Sequence, residues 1–227
     1  MDDELDGHLL LDGIVTLIDA KTLPLHVSEM KLEFISQVIF ADVLLVNKCD
    51  LLKETEEEKN EDNSAVELQP DRAAIADLLK TTNATAPIYY TERSKIDLAN
   101  ILNLQAFSTE KVAEIKTNVV PGRGSHTDGI STVCLEQCQS VHLTDFIPYL
   151  GNLVWESEMT IFRIKGVVFV SGSEVKHIVQ GVHDVFECVP TTESWGDEVR
   201  CSKIVFIGKG LNTEILEKGL VRCSNSE

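Results

Sequence analysis

The sequence lacks the long hydrophobic run that a transmembrane helix requires. No window of about 18 consecutive apolar residues occurs, and a helix needs about that length to cross a bilayer. The chain begins with MDDELDG, which is acidic, whereas a secretory signal peptide carries positive charge before its apolar segment. We therefore expect a cytoplasmic protein with no membrane partner.

Basic residues are scarce relative to acidic ones. The chain has 20 lysines and arginines against 37 aspartates and glutamates, a formal net charge of -17. A field of this sign repels phosphate backbones, and no basic stripe offsets it. We therefore expect no nucleic-acid partner. The same field favours cations and partners with basic surfaces.

Cysteine occurs without the spacing of a secreted disulfide framework. The Cys134-x-x-x-Cys138 pair also lacks the spacing of a zinc ribbon, so packing or a free thiol is the expectation there. We predict free thiols in a reducing compartment at all six positions. The cysteines are Cys49, Cys134, Cys138, Cys188, Cys201 and Cys223.

Strands and helices alternate in the first half of the chain. Short β-branched apolar runs such as VTLI and VLLV are typical of buried strands, and the segments between them carry apolar residues at helical spacing. The alternation predicts an α/β unit, a parallel sheet with crossover helices. The predicted order is strand 14–18, helix 28–41, strand 42–46, helix 70–83, strand 86–91 and helix 97–104.

The second half changes rhythm and predicts a smaller α+β unit. Strands there follow one another without crossover helices, which favours antiparallel pairing. Thr144 is a possible N-cap of the first helix of this unit. The predicted order is strand 131–137, helix 143–156, strands 159–172, 176–190 and 202–210, and helix 212–223.

These patterns divide the chain into two domains. Residues 1–116 form the first, with an acidic stretch at 53–70 that predicts a solvated insertion or a docking segment for a basic partner. Residues 117–130 contain proline and three glycines and predict a linker. Residues 131–224 form the second domain.

One motif carries recognisable chemistry. Asn47-Lys48-Cys49-Asp50 follows a buried strand, at the edge where open α/β sheets bind ligands. The Asp50 carboxylate can accept the two adjacent donors of guanine, N1–H and the exocyclic amine, which adenine lacks. Asn47 can bond the base or tie neighbouring loops together, and the Lys48 stem can lie over the purine. The alternative is a polar turn in which Asp50 caps the next segment.

The sequence contains no phosphate-binding loop. The string G-x-x-x-x-G-K-[ST], whose amides and lysine hold nucleotide phosphates, occurs nowhere in the chain. The segments PGRGSHTDG, SGSEVKH and GKGLNTE contain glycine or lysine but have the wrong spacing or context.

Several segments, in order, resemble the CobW family of P-loop GTPases, also described as zinc-regulated GTPase metalloprotein activators. They are LLLDGIVTLIDA, QVIFADVLLVNKCDL with its Q-x-x-x-A-D-x-x-x-x-N-K-x-D pattern, APIYYTERSKIDLANIL, and the later IFRIKGVVFVSG, QGVHDVFE and SKIVFIGKGL. The resemblance covers residues 8–220. It implies a partial P-loop GTPase domain followed by a CobW C-terminal domain, with guanine recognition by Asn47, Lys48 and Asp50. Thr91 lies where the last nucleotide-side loop of the family would be.

The resemblance also implies an activity and its limits. Family members couple GTP to zinc delivery to a client metalloprotein. The phosphate loop, the magnesium-binding switch, the C-x-C-C metal motif and an E-T-T-G segment have no counterpart here, so we expect no magnesium site and no GTP hydrolysis by this chain alone. His126 and Asp128 are the only candidate ligands from the His-rich loop of the family, and solvation is the expectation for them; no metal site is predicted.

Two alternatives remain open at this stage. The chain can be a short, non-catalytic interaction or regulatory module that binds client metalloproteins. It can also be an incomplete stretch of a longer GTPase, because removal of the phosphate-loop strand would expose the edges of apolar strands.

Overall fold

The computed structural model describes residues 11–23, 32–52, 72–106 and 129–224. Within these residues the first sheet is parallel and has the strand order β1-β2-β3, with both pairings in register. A helix follows each of the first two strands, which confirms the predicted α/β unit. The elements are β1 (Val15–Asp19), α1 (Leu32–Phe40), β2 (Val43–Asn47), α2 (Arg72–Thr82) and β3 (Ile88–Tyr90).

The β2 strand is the centre of the first sheet. All five of its residues are buried, as its unbroken apolar sequence predicts for a strand covered on both faces. Side chains of both helices pack with β1 and β2 in one apolar cluster. Its buried members are Ile18, Ala20, Leu23, Val38, Ala41, Leu44, Val46, Cys49, Ile75, Leu79 and Ala86.

The predicted helix at 97–104 is wrong. The structure has a single 3-10 turn there, Leu98–Asn100. The Asp97 carboxylate accepts a hydrogen bond from the amide two residues later, at 3.0 Å, a local bond that competes with helix formation. Asn103 and Gln105 have positive φ angles of 52° and 45°, which a right-handed helix excludes.

The second sheet is antiparallel, with five strands among the described residues in the order β4-β8-β5-β6-β7. It confirms the α+β prediction, with one correction. The segment 176–190, predicted as one strand, contains most of two antiparallel strands, and the chain reverses between them at His183, whose φ is 52°. The elements are β4 (Ile130–Gln137), α3 (Leu143–Trp155), β5 (Thr160–Val168), β6 (Val175–Val182), β7 (Val185–Ser194), β8 (Ser202–Lys209) and α4 (Thr213–Arg222).

The caps of the two helices in this unit differ. The N-cap of α3 is His142, with no side-chain capping bond, so the prediction for Thr144 is wrong. Thr144 lies inside the helix, and its hydroxyl donates to the Asp145 carboxylate at 3.3 Å. For α4, the Asn212 Oδ1 accepts from the amide of Ile215 at 3.1 Å, an ordinary N-cap.

The two faces of the second sheet pack against different partners. Directly paired residues of antiparallel strands share a face, so Thr132, Ile207, Arg163, Val182 and Val185 form one row across all five strands. The opposite face packs on α3 and α4 in a large apolar cluster. The face that carries the row meets α1 in a smaller cluster. Its buried members are Ile39, Ile130, Val205 and Ile207.

A disulfide joins Cys138 to Cys201, where the end of β4 lies beside the start of β8. The prediction that all six thiols are free is therefore wrong for this pair. Sequence spacing did not indicate it because 63 residues separate the two positions and only the strand pairing brings them together. The remaining four cysteines are free.

Some sequence predictions concern residues outside the described ranges. These are the acidic insertion at 53–70, nearly all of the linker at 117–130, and the candidate ligands His126 and Asp128. The domain bounds at 1–116 and 131–224 stay predictions. None of the helices in the described ranges has the length and hydrophobicity of a membrane span.

Candidate nucleotide-binding site

Asn47 ends β2 and is buried, with 9% of its surface exposed. Its Oδ1 accepts from the Thr91 hydroxyl at 3.1 Å and from the Ser94 amide at 2.8 Å. Its Nδ2 donates to the Ser94 hydroxyl at 2.9 Å. Of the two roles that the sequence left open, this geometry shows Asn47 tying the loops together.

Thr91 follows β3 and is also buried, at 5% exposure. Its amide donates to the carbonyl of Val46 at 2.8 Å, and its own carbonyl accepts from the amide of Cys49 at 3.2 Å. Thr91 therefore holds the turn after β2 from the neighbouring strand. Its predicted contact with nucleotide stays a prediction; in the structure its hydroxyl donates to Asn47.

Lys48 lies in the left-handed region, with φ 63° and ψ 34°. This conformation costs a non-glycine residue about 1–2 kcal/mol. The Lys48 ammonium pairs with the Asp19 carboxylate at 2.5 Å, and the Lys48 side chain is 52% exposed. Its stem is thus held at the end of the sheet with one side open to solvent.

Asp19 ends β1 directly beside Asn47 in the sheet register. Burial alone raises the pKa of Asp19, but hydrogen bonds from the Lys48 ammonium and the Lys21 amide outweigh it and hold the pKa below its usual value. Asp19 is therefore ionised near neutral pH and orients Lys48. The sequence placed Asp19 at a strand end without assigning it a role.

Asp50 is exposed and lies in the single 3-10 turn Cys49–Leu51. The buried Cys49 anchors this turn, and its thiol contacts the carbonyl of Val46 at 3.4 Å. Among the described residues, no hydrogen bond or ion pair engages the Asp50 carboxylate. A carboxylate on an anchored turn can accept both adjacent guanine donors.

Ser94 is the residue that sequence reasoning missed. Arg93 and Ser94 have φ angles of 51° and 55°, a reversal that brings the Ser94 amide and hydroxyl to Asn47. No sequence signal separates this serine from others, because its partner lies 47 residues away. The site thus consists of two loops, after β2 and after β3, joined through Asn47.

In the part of the chain that the structure describes, no group of three or more histidine, cysteine, aspartate or glutamate side chains is placed to hold a metal ion. His183 instead lies between the rings of Phe40 and Phe162, at centroid distances of 5.3 and 5.8 Å. His177 is buried, and its Nδ1 lies 3.3 Å from the carbonyl of Val175.

Two family models match the chain. The CobW/HypB/UreG nucleotide-binding domain matches residues 1–76, and the cobalamin synthesis protein cobW C-terminal domain matches residues 130–224. The second match spans the described antiparallel sheet with α3 and α4. The first contains β1, β2 and the Asn47–Asp50 turn.

Curated relatives extend the match over most of the chain. The zinc chaperone YjiA of Escherichia coli is 28% identical over 214 residues, covering 90% of this chain and 58% of the relative. The zinc-regulated GTPase metalloprotein activator 1 of Schizosaccharomyces pombe is 26% identical, covering 93% and 56%. The chain spans a little over half the length of these relatives.

Solved structures show the same fold. The Zn(II)-bound YjiA GTPase from E. coli aligns with a TM-score of 0.70 at 26% identity, covering 97% of this chain and 64% of that one. A Zn(II)-bound triple mutant of the YjiA GTPase aligns with a TM-score of 0.73 at 25% identity, covering 98% and 64%. Two family models in order, together matching more than half of the residues, and a fold shared along the chain show that this protein belongs to the CobW family.

Proposed function

We propose that this chain recognises the guanine base for a GTP-linked zinc metallochaperone that serves a client metalloprotein. The observation that carries the proposal is the exposed Asp50 carboxylate on a turn fixed by Asn47 and Thr91. The zinc chaperone and the zinc-regulated GTPase metalloprotein activator among its relatives support the proposed cellular role. Zinc is the cargo in this proposal.

Base selectivity follows from the chemistry of Asp50. Guanine presents N1–H and its exocyclic amine side by side, and one carboxylate accepts both hydrogen bonds. Adenine presents an unprotonated N1 there, so its complex would leave the carboxylate desolvated and unpaired, at a cost of about 1–3 kcal/mol or more. The Lys48 stem, held by Asp19, can cover one face of the purine.

Phosphate binding is the part that this sequence does not supply. The chain lacks the glycine-rich string that would cradle the phosphates, and phosphate contacts provide much of the affinity for nucleotides. No described group of carboxylates and histidines is placed to hold a metal. We therefore expect weak nucleotide binding dominated by the base, and no GTP turnover by this chain alone.

The test is a competition for binding between nucleotides that differ in the base. GDP and GTP should displace a fluorescent guanine nucleotide, whereas ADP and ATP should not. Asp50→Ala should abolish the preference because it removes the acceptor of both guanine donors. Asp77→Ala is the matched control, since Asp77 is an exposed acid on α2 and not part of the turn. Equal binding of guanine and adenine nucleotides to the wild-type chain would refute the proposal.

A further inference from the structure

A buried arginine of the second sheet reaches into the first domain. Arg163 on β5 is 6% exposed. Its Nη1 donates to the carbonyls of Ile39 and Ala41, at 3.1 and 3.0 Å, and its Nη2 pairs with the Asp42 carboxylate. The fork of the guanidinium thus binds the end of α1 and the residue that precedes β2 at the same time.

Asp42 joins three strands at one point. Its Oδ2 accepts from the Ile14 amide at 3.0 Å, and its own amide donates to the Ile14 carbonyl at 2.7 Å. Lys165, two residues after Arg163 on β5, contacts Oδ1 at 3.2 Å. With its side chain only 5% exposed, this carboxylate fixes the starts of β1 and β2 against β5.

The segment between α1 and β2 is also held by a residue of the first domain. Asn83, completely buried after α2, donates through Nδ2 to the carbonyls of Val38, Ile39 and Ala41, at 2.8, 3.2 and 2.9 Å. The carbonyls of Ile39 and Ala41 therefore each accept one bond from each domain. Removing the Arg163 charge while the sheets stay packed would leave the buried Asp42 carboxylate without one of its two cationic partners, which is unfavourable.

β1 and β2 both begin beside Asp42, and β2 ends at the Asn47–Asp50 turn. The pairing of β1 with β2 runs without a break from Val15 and Val43 to Asp19 and Asn47. At about 3.3 Å per residue, the four steps between the first and last of these pairs span roughly 13 Å. We propose that Arg163 is a positioning residue for the guanine-binding turn: through Asp42 it fixes the register and spacing of β1 and β2, whose far ends carry Asp19, Asn47 and Lys48.

This arrangement makes docking of the second domain and base recognition interdependent. Guanine binding orders the far end of the β1–β2 pair, and docking by Arg163 orders its near end. Thermodynamic linkage is reciprocal, so a bound guanine nucleotide strengthens docking by the same factor by which docking strengthens binding. The coupling to nucleotide binding rests on the proposed function, whereas the positioning of the turn does not.

The test compares amide hydrogen exchange in the full chain without nucleotide, for the wild type and Arg163→Met. Methionine keeps the length of the side chain but removes its charge and fork. We expect exchange in residues 43–52 to accelerate at least tenfold, with β6 of the second sheet unchanged. Arg163→Lys keeps the charge but loses the fork, so we expect an acceleration intermediate between wild type and Arg163→Met. If the methionine variant does not fold, Arg163→Lys carries the test, and wild-type exchange in residues 43–52 of that variant would overturn the positioning role.

The matched control is Arg200→Met, which breaks the exposed ion pair of Arg200 with Glu174 in the same domain. It should leave exchange in residues 43–52 as in the wild type. Unchanged exchange there in folded Arg163→Met, or a uniform acceleration in both sheets, would overturn the positioning role.

A measurement of GDP binding separates this inference from the proposed function. If the wild type binds GDP, Arg163→Met should weaken that binding at least fivefold although Arg163 lies at the opposite end of β2. Unchanged affinity would overturn the coupling. A wild type that binds no guanine nucleotide would refute the proposed function, and the exchange comparison would still decide whether Arg163 positions the turn.

Discussion

Asn47 and Asp50 differ in how far the protein itself uses their hydrogen-bonding groups. The Asn47 amide makes three hydrogen bonds to Thr91 and Ser94, so its side chain stabilises the folded site. The Asp50 carboxylate has no such bond among the described residues. At the scale of single residues, one side chain of the motif therefore builds the site and another remains available for a ligand.

Asp50→Asn should change the preferred base from guanine to xanthine. Xanthine keeps N1–H but carries a carbonyl oxygen where guanine has its amine, and an asparagine amide offers an acceptor and a donor that match this pair. We expect GDP affinity to fall at least tenfold and xanthosine diphosphate affinity to rise above that of the wild type. Competition binding measures both. If neither affinity changes, Asp50 does not contact the base.

Asn47→Ala and Asp50→Ala should separate stability from binding. Asn47→Ala leaves the Thr91 hydroxyl and the Ser94 amide without their acceptor, so the free energy of unfolding should fall by about 1–3 kcal/mol. Asp50→Ala removes an exposed group that has no hydrogen-bond or ion-pair partner among the described residues, so that free energy should change by less than about 0.5 kcal/mol. Urea denaturation measures both. A larger loss for Asp50→Ala would reverse the two assignments.

At the scale of elements, sequence periodicity correctly predicted the helices and strands whose formation depends on local sequence. The buried run VLLV and the helical spacing around it predicted β2 and its neighbouring helices correctly. The segment 97–104 failed because Leu98 and Leu102 have helical spacing yet are 60% and 56% exposed. Amides at its end bind the Asp12 carboxylate, 92 residues earlier, and such a distant contact leaves no local signal.

Cys201→Ser should destabilise the second domain under oxidising conditions. The Cys138–Cys201 bond closes a loop of 63 residues, and crosslinks of that span contribute about 2–4 kcal/mol, mainly by restricting the unfolded chain. At about 2–4 °C per kcal/mol for a chain of this size, Tm should fall by several degrees. Calorimetry with and without reductant should show a shift in the wild type and none in the variant. A wild-type Tm that ignores reductant would contradict this contribution.

At the scale of the whole molecule, the contact between the two sheets depends on groups from distant parts of the sequence. Sequence analysis predicted both sheets and the Asn47–Asp50 turn, but gave no role to Arg163 or Asp42. They are 121 residues apart, and a lone arginine within a strand resembles any solvated one. Only the assembled fold shows that it is buried against the end of α1.

The charge of Lys165 at this contact should make stability depend on pH. Burial lowers the pKa of Lys165 below its ordinary 10.5, only partly opposed by the nearby Asp42 carboxylate. Between the folded-state pKa and 10.5 the unfolded chain binds more protons, so the contribution of Lys165 to the free energy of unfolding rises with pH in that window. Below the window both states are protonated, and the cost of burying the charge is complete.

The measurement is the difference in free energy of unfolding between the wild type and Lys165→Met, by urea denaturation from pH 7 to 10.5. Relative to the variant, the wild type should gain stability as pH rises. Lys218→Met is the control, because Lys218 is 72% exposed on α4 and its difference should stay flat. A constant difference for Lys165→Met would mean that water reaches this ammonium, which is incompatible with a dry contact between the two sheets.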